Sequence, residues 1–139
     1  MKRKYFIDTN IFIEVLTGRD NTKYEDCYKL FKKIKTNQIQ AMTSSVVVAE
    51  LVWTLKTFYK FSRARITRGL KSIKRLRGLK IIDSYQFDET IKIFEQKSVK
   101  YIDAMIASIK PLQEKKWVIV SYDKDFDKIG IKRLEPNKI

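Results

Sequence analysis

Short apolar runs alternate with segments of helical periodicity along this chain. The runs that predict strands are "KYFID", "QAMTSS", "LKIID", "WVIVSYD" and, with a weaker pattern, "IKRLE". Between them apolar residues recur at helical spacing, as Cys27, Leu30, Phe31 and Ile34 do. Short strands that alternate with helices indicate a parallel sheet with right-handed crossovers and helices on both faces. The pattern therefore predicts a single α/β domain over residues 1–139.

Capping residues and one proline set the expected ends of several helices. Thr9 or Asn10 is expected to cap the first helix, and Ser62 is expected to cap a basic one. Pro111 is expected to stop or kink the helix in "YIDAMIASI". With a cap at Thr9 or Asn10, Asp8 falls at the carboxyl end of the first strand.

Three carboxylates stand in apolar surroundings. Asp8 lies between "YFI" and "TNIFI", Glu50 within "VVVAELVW" and Asp103 within "KYIDAMIA". Ionised carboxylates are rarely buried without a partner or a metal, because such burial is costly. Each acid also has a simpler interpretation: Asp8 could cap a helix, Glu50 could lie at a polar helix edge, and Asp103 could be a first-turn acid. The local sequence alone leaves these alternatives open.

The predicted topology brings the acids towards one edge of the sheet. In a parallel α/β sheet, sites form beyond the carboxyl ends of the strands. Asp8 ends the first strand, and "SYDKDF" ends the fourth. Glu50 lies one to two turns into the helix after the second strand, and Asp103 lies near the start of the helix before the fourth. Unit charges about 4 Å apart repel by about 4 kcal/mol at an effective dielectric of about 20, so such a cluster needs a counter-ion.

The composition limits the counter-ion and the chemistry. The chain has no histidine and one cysteine, Cys27, which excludes His-dependent catalysis, His-ligated metals and a Cys-based zinc site. A hard divalent cation with oxygen ligands, Mg²⁺ or Mn²⁺, remains. Its expected work is to polarise a phosphodiester and to lower the pKa of a bound water for in-line attack. A lone cysteine and the lack of an apolar run near about 18 residues lead us to expect a soluble cytoplasmic protein without a membrane span.

Basic residues outnumber acids by thirty to sixteen, which gives a formal charge of +14. This charge favours a polyanion such as nucleic acid, although an acidic protein partner would also fit. Ten Lys and Arg and no acid lie between Lys56 and Lys80. A solvated amphipathic helix is the simplest interpretation, but so one-sided a charge favours contact with phosphates. The predicted RNA-binding residues are Arg63, Arg65, Arg68, Lys71, Lys74 and Arg75.

Aromatic residues flank this basic segment and have two interpretations. Exposed aromatic rings can stack on unpaired bases, but they more often pack in a core or a dimer interface. The residues concerned are Trp53, Phe58, Tyr59 and Phe61.

Four stretches, taken together, carry a family resemblance. "FIDTNIFIEVL", "SSVVVAELVW", "KYIDAMIAS" and "VSYDKDF", in this order and at these spacings, resemble the motifs of PIN-domain nucleases, and in particular the VapC-type ribonuclease toxins of toxin–antitoxin pairs. The resemblance runs from Tyr5 to about Phe126. It implies a three-layer α/β/α sandwich around a parallel sheet and Mg²⁺- or Mn²⁺-dependent cleavage of RNA.

The resemblance also assigns site residues. Asp8, Glu50, Asp103 and Asp123 match the four acids of the family, and Asp8, Asp103 and Asp123 are the expected metal ligands. The expected supporting polar residues are Asn10, Ser121 and Asp125. Asp125 also fits the last motif, so either it or Asp123 could face the metal, and we favour Asp123.

The resemblance further implies partners: a small antitoxin, and a second copy bound through the helices around Trp53 to Leu76. Other functions stay open at this stage. The chain could be a non-catalytic RNA-binding module with this fold, or a PIN nuclease of RNA processing that has no antitoxin. Retention of four acids argues against the first alternative, because clustered negative charge does not help to bind a polyanion. An RNase H-type nuclease is disfavoured, because a helix is predicted directly after Asp8.

Overall fold

The computed structural model of the chain describes residues 3–19 and 21–139. Five short strands and eight helices are found in the described residues. The strands are β1 (Lys4–Ile7), β2 (Gln40–Thr43), β3 (Leu79–Ile81), β4 (Trp117–Val120) and β5 (Arg133–Leu134). The helices are α1 (Thr9–Thr17), α2 (Asn21–Lys35), α3 (Ser45–Thr57), α4 (Arg63–Lys74), α5 (Phe87–Gln96), α6 (Tyr101–Ala107), α7 (Lys110–Gln113) and α8 (Asp125–Lys128). A 3₁₀ turn spans Pro136–Lys138.

All five strands form one parallel sheet in the order β3-β2-β1-β4-β5. The first strand is central: Tyr5 is aligned with Ala41 of β2 on one side and with Val118 of β4 on the other. The chain moves from β1 outward through β2 to β3, and then crosses back to β4 and β5. This reversal places a topological switch point between β1 and β4, where sites form in open α/β sheets.

The helices form two layers. α1 packs against α2 and α3, and α3 packs against α4. α6 packs against α5, α7 and α8. Right-handed crossovers that advance in opposite directions along a sheet put their helices on opposite faces, which accounts for the two groups. The predicted three-layer α/β/α sandwich is therefore confirmed.

The core lies where the central strands meet both helix layers. Phe6, Ile7 and Ile119 are fully buried, as expected for strands that are covered on both faces. The four apolar residues predicted to share one face of α2 are all buried, and Phe31 stacks on Phe12 of α1 with ring centroids 5.3 Å apart. This packing fixes the strand ends from which the site is built.

The helix that carries Asp103 ends before Pro111, as predicted, and a new short helix begins there. α6 ends at Ala107, before Pro111, and Pro111 lies in the first turn of α7. The first turn of a helix tolerates proline, because the backbone N–H that proline lacks has no partner there. Pro111 thus follows the end of α6 and lies at the start of α7, and α6 carries Asp103 in its first turn.

Within the described residues, no helix is long and apolar enough to cross a membrane.

Candidate active site

The predicted acids come together at the carboxyl edge of the sheet. Asp8 directly follows β1, and Asp123 follows β4 after two residues. Ser44 caps α3 by accepting a hydrogen bond from the backbone N–H of Val47, and that helix carries Glu50. These acids act electrostatically on one another: the charges of Glu50 and Asp123 raise the pKa of Asp8.

Asp8 is both the cap of α1 and a member of the acidic cluster. Its Oδ1 accepts a 2.8 Å hydrogen bond from the backbone N–H of Thr9, so the prediction of a cap at Thr9 or Asn10 is wrong. The physical reason is conformational: Asp8 is the residue that keeps the extended backbone of β1, whereas Thr9 is already helical. Its Oδ2 accepts a 2.6 Å hydrogen bond from Ser121 Oγ, and Asp8 is only 5% exposed.

Asn10 and Ser121 tie Asp8 to the end of β4. Asn10 Nδ2 donates to Ser121 Oγ at 3.0 Å and to Asp8 Oδ2 at 3.3 Å, and Asn10 Oδ1 accepts from the backbone N–H of Tyr122. Ser121 Oγ also accepts from the backbone N–H of Asp123 at 3.0 Å. Two of the three residues predicted as supporting polar groups thus link the first and fourth acids through hydrogen bonds.

Thr9 is a site residue that the sequence did not reveal. Its hydroxyl donates a short hydrogen bond to Glu50 Oε1 across 41 residues of sequence, and Thr9 is only 5% exposed. The one available signal is its position between Asp8 and Asn10, because a polar residue in a buried first turn needs a partner. Nothing in the sequence identified that partner as Glu50.

Asp103 is buried in the first turn of α6 with one oxygen free. Its side chain is 5% exposed, and its Oδ2 has no hydrogen-bond partner among the described residues. Carboxylate oxygens of Asp103, Asp123 and Asp125 lie within 4.8 Å of one another. A buried carboxylate oxygen without a donor is costly, so this geometry calls for a cation.

Asp125 joins this group but carries its own counter-ion. Lys128 Nζ lies 2.9 Å from Asp125 Oδ1, one turn along α8. The backbone N–H of Asp125 donates to Asp123 Oδ1 at 2.9 Å, which holds the two acids together. Asp123, in contrast, acts by its charge on both Asp8 and Asp103. These contacts favour Asp123 over Asp125 as the acid that faces a cation.

Burial and mutual repulsion raise the pKa of two acids. Burial is the main cause for Asp8 and brings its pKa to about 6, although the hydrogen bonds from Ser121 and Thr9 lower it. Burial, followed by the charges of Asp123 and Asp8, brings the pKa of Asp103 to about 7. Both carboxylates are therefore held in an environment that disfavours their charge at neutral pH.

The donor atoms of the cluster fit a hard divalent cation. All available ligands are carboxylate or hydroxyl oxygens, and the free Oδ2 of Asp103 supplies a ligand that no protein donor satisfies. Oxygen donors of this kind suit Mg²⁺ and Mn²⁺. The residues of the cluster thus fit the Mg²⁺ or Mn²⁺ ion that the sequence predicts.

Five of the six predicted RNA-binding residues lie on α4, and the sixth, Arg75, directly follows it. Ser62 caps this helix by accepting from the backbone N–H of Arg65. The six basic side chains are all exposed, and none of them forms an ion pair within the described part of the chain. The cation that lowers the pKa of Asp103 is Lys100, which directly precedes α6. No described acid therefore neutralises these six charges, and the Arg65 guanidinium lies over the Phe61 ring, 3.7 Å from its centroid.

A parallel α/β sandwich with clustered acids at its carboxyl edge is an arrangement suited to metal-dependent chemistry on phosphates. The family comparison agrees: the model of the PIN domain family matches residues 5–132. This match covers most of the chain, so the chain belongs to the PIN domain family, and the family resemblance seen in the sequence is confirmed. Membership of the PIN domain family places this chain among the nucleases.

Solved structures show the same fold. VapC20 of Mycobacterium tuberculosis, described as a toxin that cleaves the sarcin-ricin loop, has a TM-score of 0.67 and 16% identity, covering 95% of this chain and 99% of that one. VapBC2 of Rickettsia felis, bound to a DNA fragment from its promoter, has a TM-score of 0.62 and 19% identity over 95% and 98% of the two chains. PAE2754 of Pyrobaculum aerophilum has a TM-score of 0.61 and 14% identity over 96% and 92%. No curated protein sequence matches the chain.

Proposed function

We propose that residues 1–139 form one PIN nuclease domain that cleaves RNA with the help of Mg²⁺ or Mn²⁺. The single observation that carries this proposal is the buried acidic cluster, in which Asp103 has a free oxygen and a raised pKa. Asp8, Glu50, Asp103 and Asp123 are the catalytic residues. A structural role alone does not account for four acids that repel one another at a sheet edge.

Asp8, Asp103 and Asp123 are the proposed metal ligands. A bound Mg²⁺ or Mn²⁺ supplies Lewis-acid polarisation of the phosphodiester and acidification of water. The chain prepares the ligands: Ser121 and Asn10 fix Asp8 through its Oδ2, and the backbone of α6 holds Asp103 in a buried position. In metal sites, hydrogen bonds from neighbouring residues to the ligands fix the orientation of those ligands.

RNA is the proposed substrate because of the exposed cations of α4. If about five of them contact phosphates of a single strand, the slope of log K against log salt should be near about −3.5, with about −0.7 for each contact. Trp53 and Phe58 are 65% and 70% exposed and are therefore open to stacking or to a partner. Tyr59 and Phe61 are partly buried against the core.

We further propose that the chain is the toxin of a toxin–antitoxin pair. Two of the similar structures are described as VapC20, a toxin, and as VapBC2 bound to promoter DNA. The proposed compartment is the cytoplasm, where a lone buried cysteine stays reduced. Co-purification with a short second chain would support this role, and a fully active chain that is harmless on expression would contradict it.

A groove between α2 and α4 is the proposed docking site of the antitoxin. It has a volume of about 810 Å³, and its apolar lining includes Phe12, Phe31 and Leu76. Four cations are among its lining residues, and none of the described residues that line it is an acid. These cations are Lys32, Lys35, Arg75 and Arg77. An apolar groove with cations among its lining residues is complementary to an amphipathic segment with acidic residues, so we commit to such a segment as the occupant.

A second copy of the chain is the other proposed partner. The expected contact lies around Trp53 to Leu76, where the exposed Trp53 and Phe58 belong to the end of α3 and the turn that follows. Large aromatic residues are favoured at interfaces. Sedimentation of the wild type and of Trp53→Lys tests this contact: a dimer that dissociates in the variant supports it, and an unchanged state contradicts it.

Cleavage of a single-stranded RNA tests the enzymatic proposal. The wild type, Asp8→Asn and Asp103→Asn are compared in Mg²⁺, Mn²⁺ and EDTA, with Glu114→Gln as the control for loss of an exposed acid. We expect cleavage by the wild type and the control only when metal is present, and strong loss in the two cluster variants. Metal-independent cleavage, or full activity in both cluster variants, would contradict the proposal.

A further inference from the structure

Thr9 is hydrogen-bonded to two of the four acids. Its backbone N–H donates to Asp8 Oδ1 at 2.8 Å, and its hydroxyl donates to Glu50 Oε1. The first contact caps α1, and the second joins α1 to α3. Within the described residues, the Glu50 side chain has no hydrogen-bond partner other than Thr9.

Two effects favour a conformation in which the Glu50 side chain points away from the acidic cluster and into solvent. Its charge repels both Asp8 and Asp103. The side chain is half-buried, so solvent is within reach, and a glutamate held in one conformation loses substantial rotamer entropy. Electrostatics and entropy therefore both favour a Glu50 that turns outward, and a specific contact must oppose them.

We propose that the Thr9 hydroxyl is a positioning group that holds Glu50 in the acidic cluster. A hydrogen bond to a carboxylate is charge-assisted and stronger than a neutral one. Thr9 is β-branched and buried at the start of α1, so its hydroxyl has few alternative orientations. The structural part of this inference rests on the Thr9–Glu50 hydrogen bond. Its consequence, tighter cation binding, rests on the proposed function.

The first test compares Thr9→Val with Thr9→Ser. Valine keeps the shape and the backbone donor to Asp8 but removes the hydroxyl, whereas serine keeps the hydroxyl. Thr17→Val is the matched control, because Thr17 lies on the same helix and, among the described residues, its hydroxyl bonds to the backbone oxygen of Ile13 and to no acid. We expect Thr9→Val to bind Mn²⁺ about tenfold more weakly or worse, with Thr9→Ser and Thr17→Val near the wild type.

A double-mutant cycle with Glu50→Ala separates positioning from a general loss of stability. If Thr9 acts through Glu50, the effect of Thr9→Val on Mn²⁺ affinity disappears in the Glu50→Ala background. The same cycle, applied to the urea concentration at the midpoint of unfolding in EDTA, measures the Thr9–Glu50 interaction in the absence of metal. Additive effects in both cycles, or an equal loss in Thr17→Val, would overturn the proposal. A wild type that binds no Mn²⁺ contradicts the proposed function, while the cycle in EDTA still decides the role of Thr9.

Discussion

Neutralising Asp103 should stabilise the protein when no divalent cation is bound. The pKa of Asp103 lies near 7 in the folded chain, against 3.8 for an ordinary aspartate. A carboxyl whose pKa is raised on folding destabilises the fold when ionised, and this destabilisation disappears as the pH falls towards the unfolded pKa. The amide side chain introduced by Asp103→Asn cannot ionise and so avoids the penalty.

The size of the effect follows from the difference in pKa. About three pKa units correspond to about 4 kcal/mol at pH values above about 7, at about 1.4 kcal/mol for each unit. At about pH 5.5 the penalty is about 2 kcal/mol, and it is nearly gone below about pH 4. These figures are upper values, because Asp103 lies at the edge of the sheet and solvent there screens part of the repulsion from Asp123 and Asp8.

Urea unfolding in EDTA at several pH values measures this effect. We expect Asp103→Asn to be more stable than the wild type at about pH 8, with a gap that narrows as the pH falls. Comparing the two proteins at each pH cancels the repulsion among the many cations of the chain. A variant that is equal to or less stable than the wild type at about pH 8, or a gap that widens at acid pH, would refute the reasoning.

Three further variants test other parts of the site. Ser121→Ala removes a donor to Asp8, so we expect the pKa of Asp8 to rise above about 6 in a ¹³C carboxyl titration and RNA cleavage to fall; an unchanged pKa would contradict the contact. Arg68→Ala should weaken binding to single-stranded RNA and make the salt slope shallower by about 0.7, while Lys116→Ala should not; equal effects would argue against α4 as the RNA surface. Lys35→Glu should weaken binding of an acidic amphipathic peptide, seen by fluorescence anisotropy, without loss of cleavage; unchanged peptide affinity would argue against the groove.

The fold and the cluster could be predicted because they follow from local patterns. Apolar strands alternate with helices, so the parallel sheet and its carboxyl edge follow from connection rules. Asp8 and Asp103 were identified as acids in apolar segments, and topology brought them towards the same edge. Both are 5% exposed in the folded chain. This part of the site can be predicted from the sequence, because it depends only on the order of strands, helices and acids along the chain.

Other features depend on contacts between distant segments and could not be predicted. The Thr9–Glu50 hydrogen bond joins residues 41 positions apart, and no periodicity reports it. A cap at Asp8 was one of the interpretations that the sequence left open, and the choice between Asp8, Thr9 and Asn10 depended on the exact residue at which β1 ends. The end of α6 before Pro111 was expected, but the short helix α7 that begins at Lys110 was not.

Calorimetric titration with Mn²⁺ tests the central claim most directly. The wild type, Asp103→Asn and the exposed-acid control Glu95→Gln are titrated at the same pH after removal of metal with EDTA. The acidic cluster predicts saturable binding to the wild type and to Glu95→Gln, and binding that is strongly weakened or lost in Asp103→Asn. Equal Mn²⁺ affinity in all three proteins, or no binding to the wild type, would contradict a cation site built from these carboxylates.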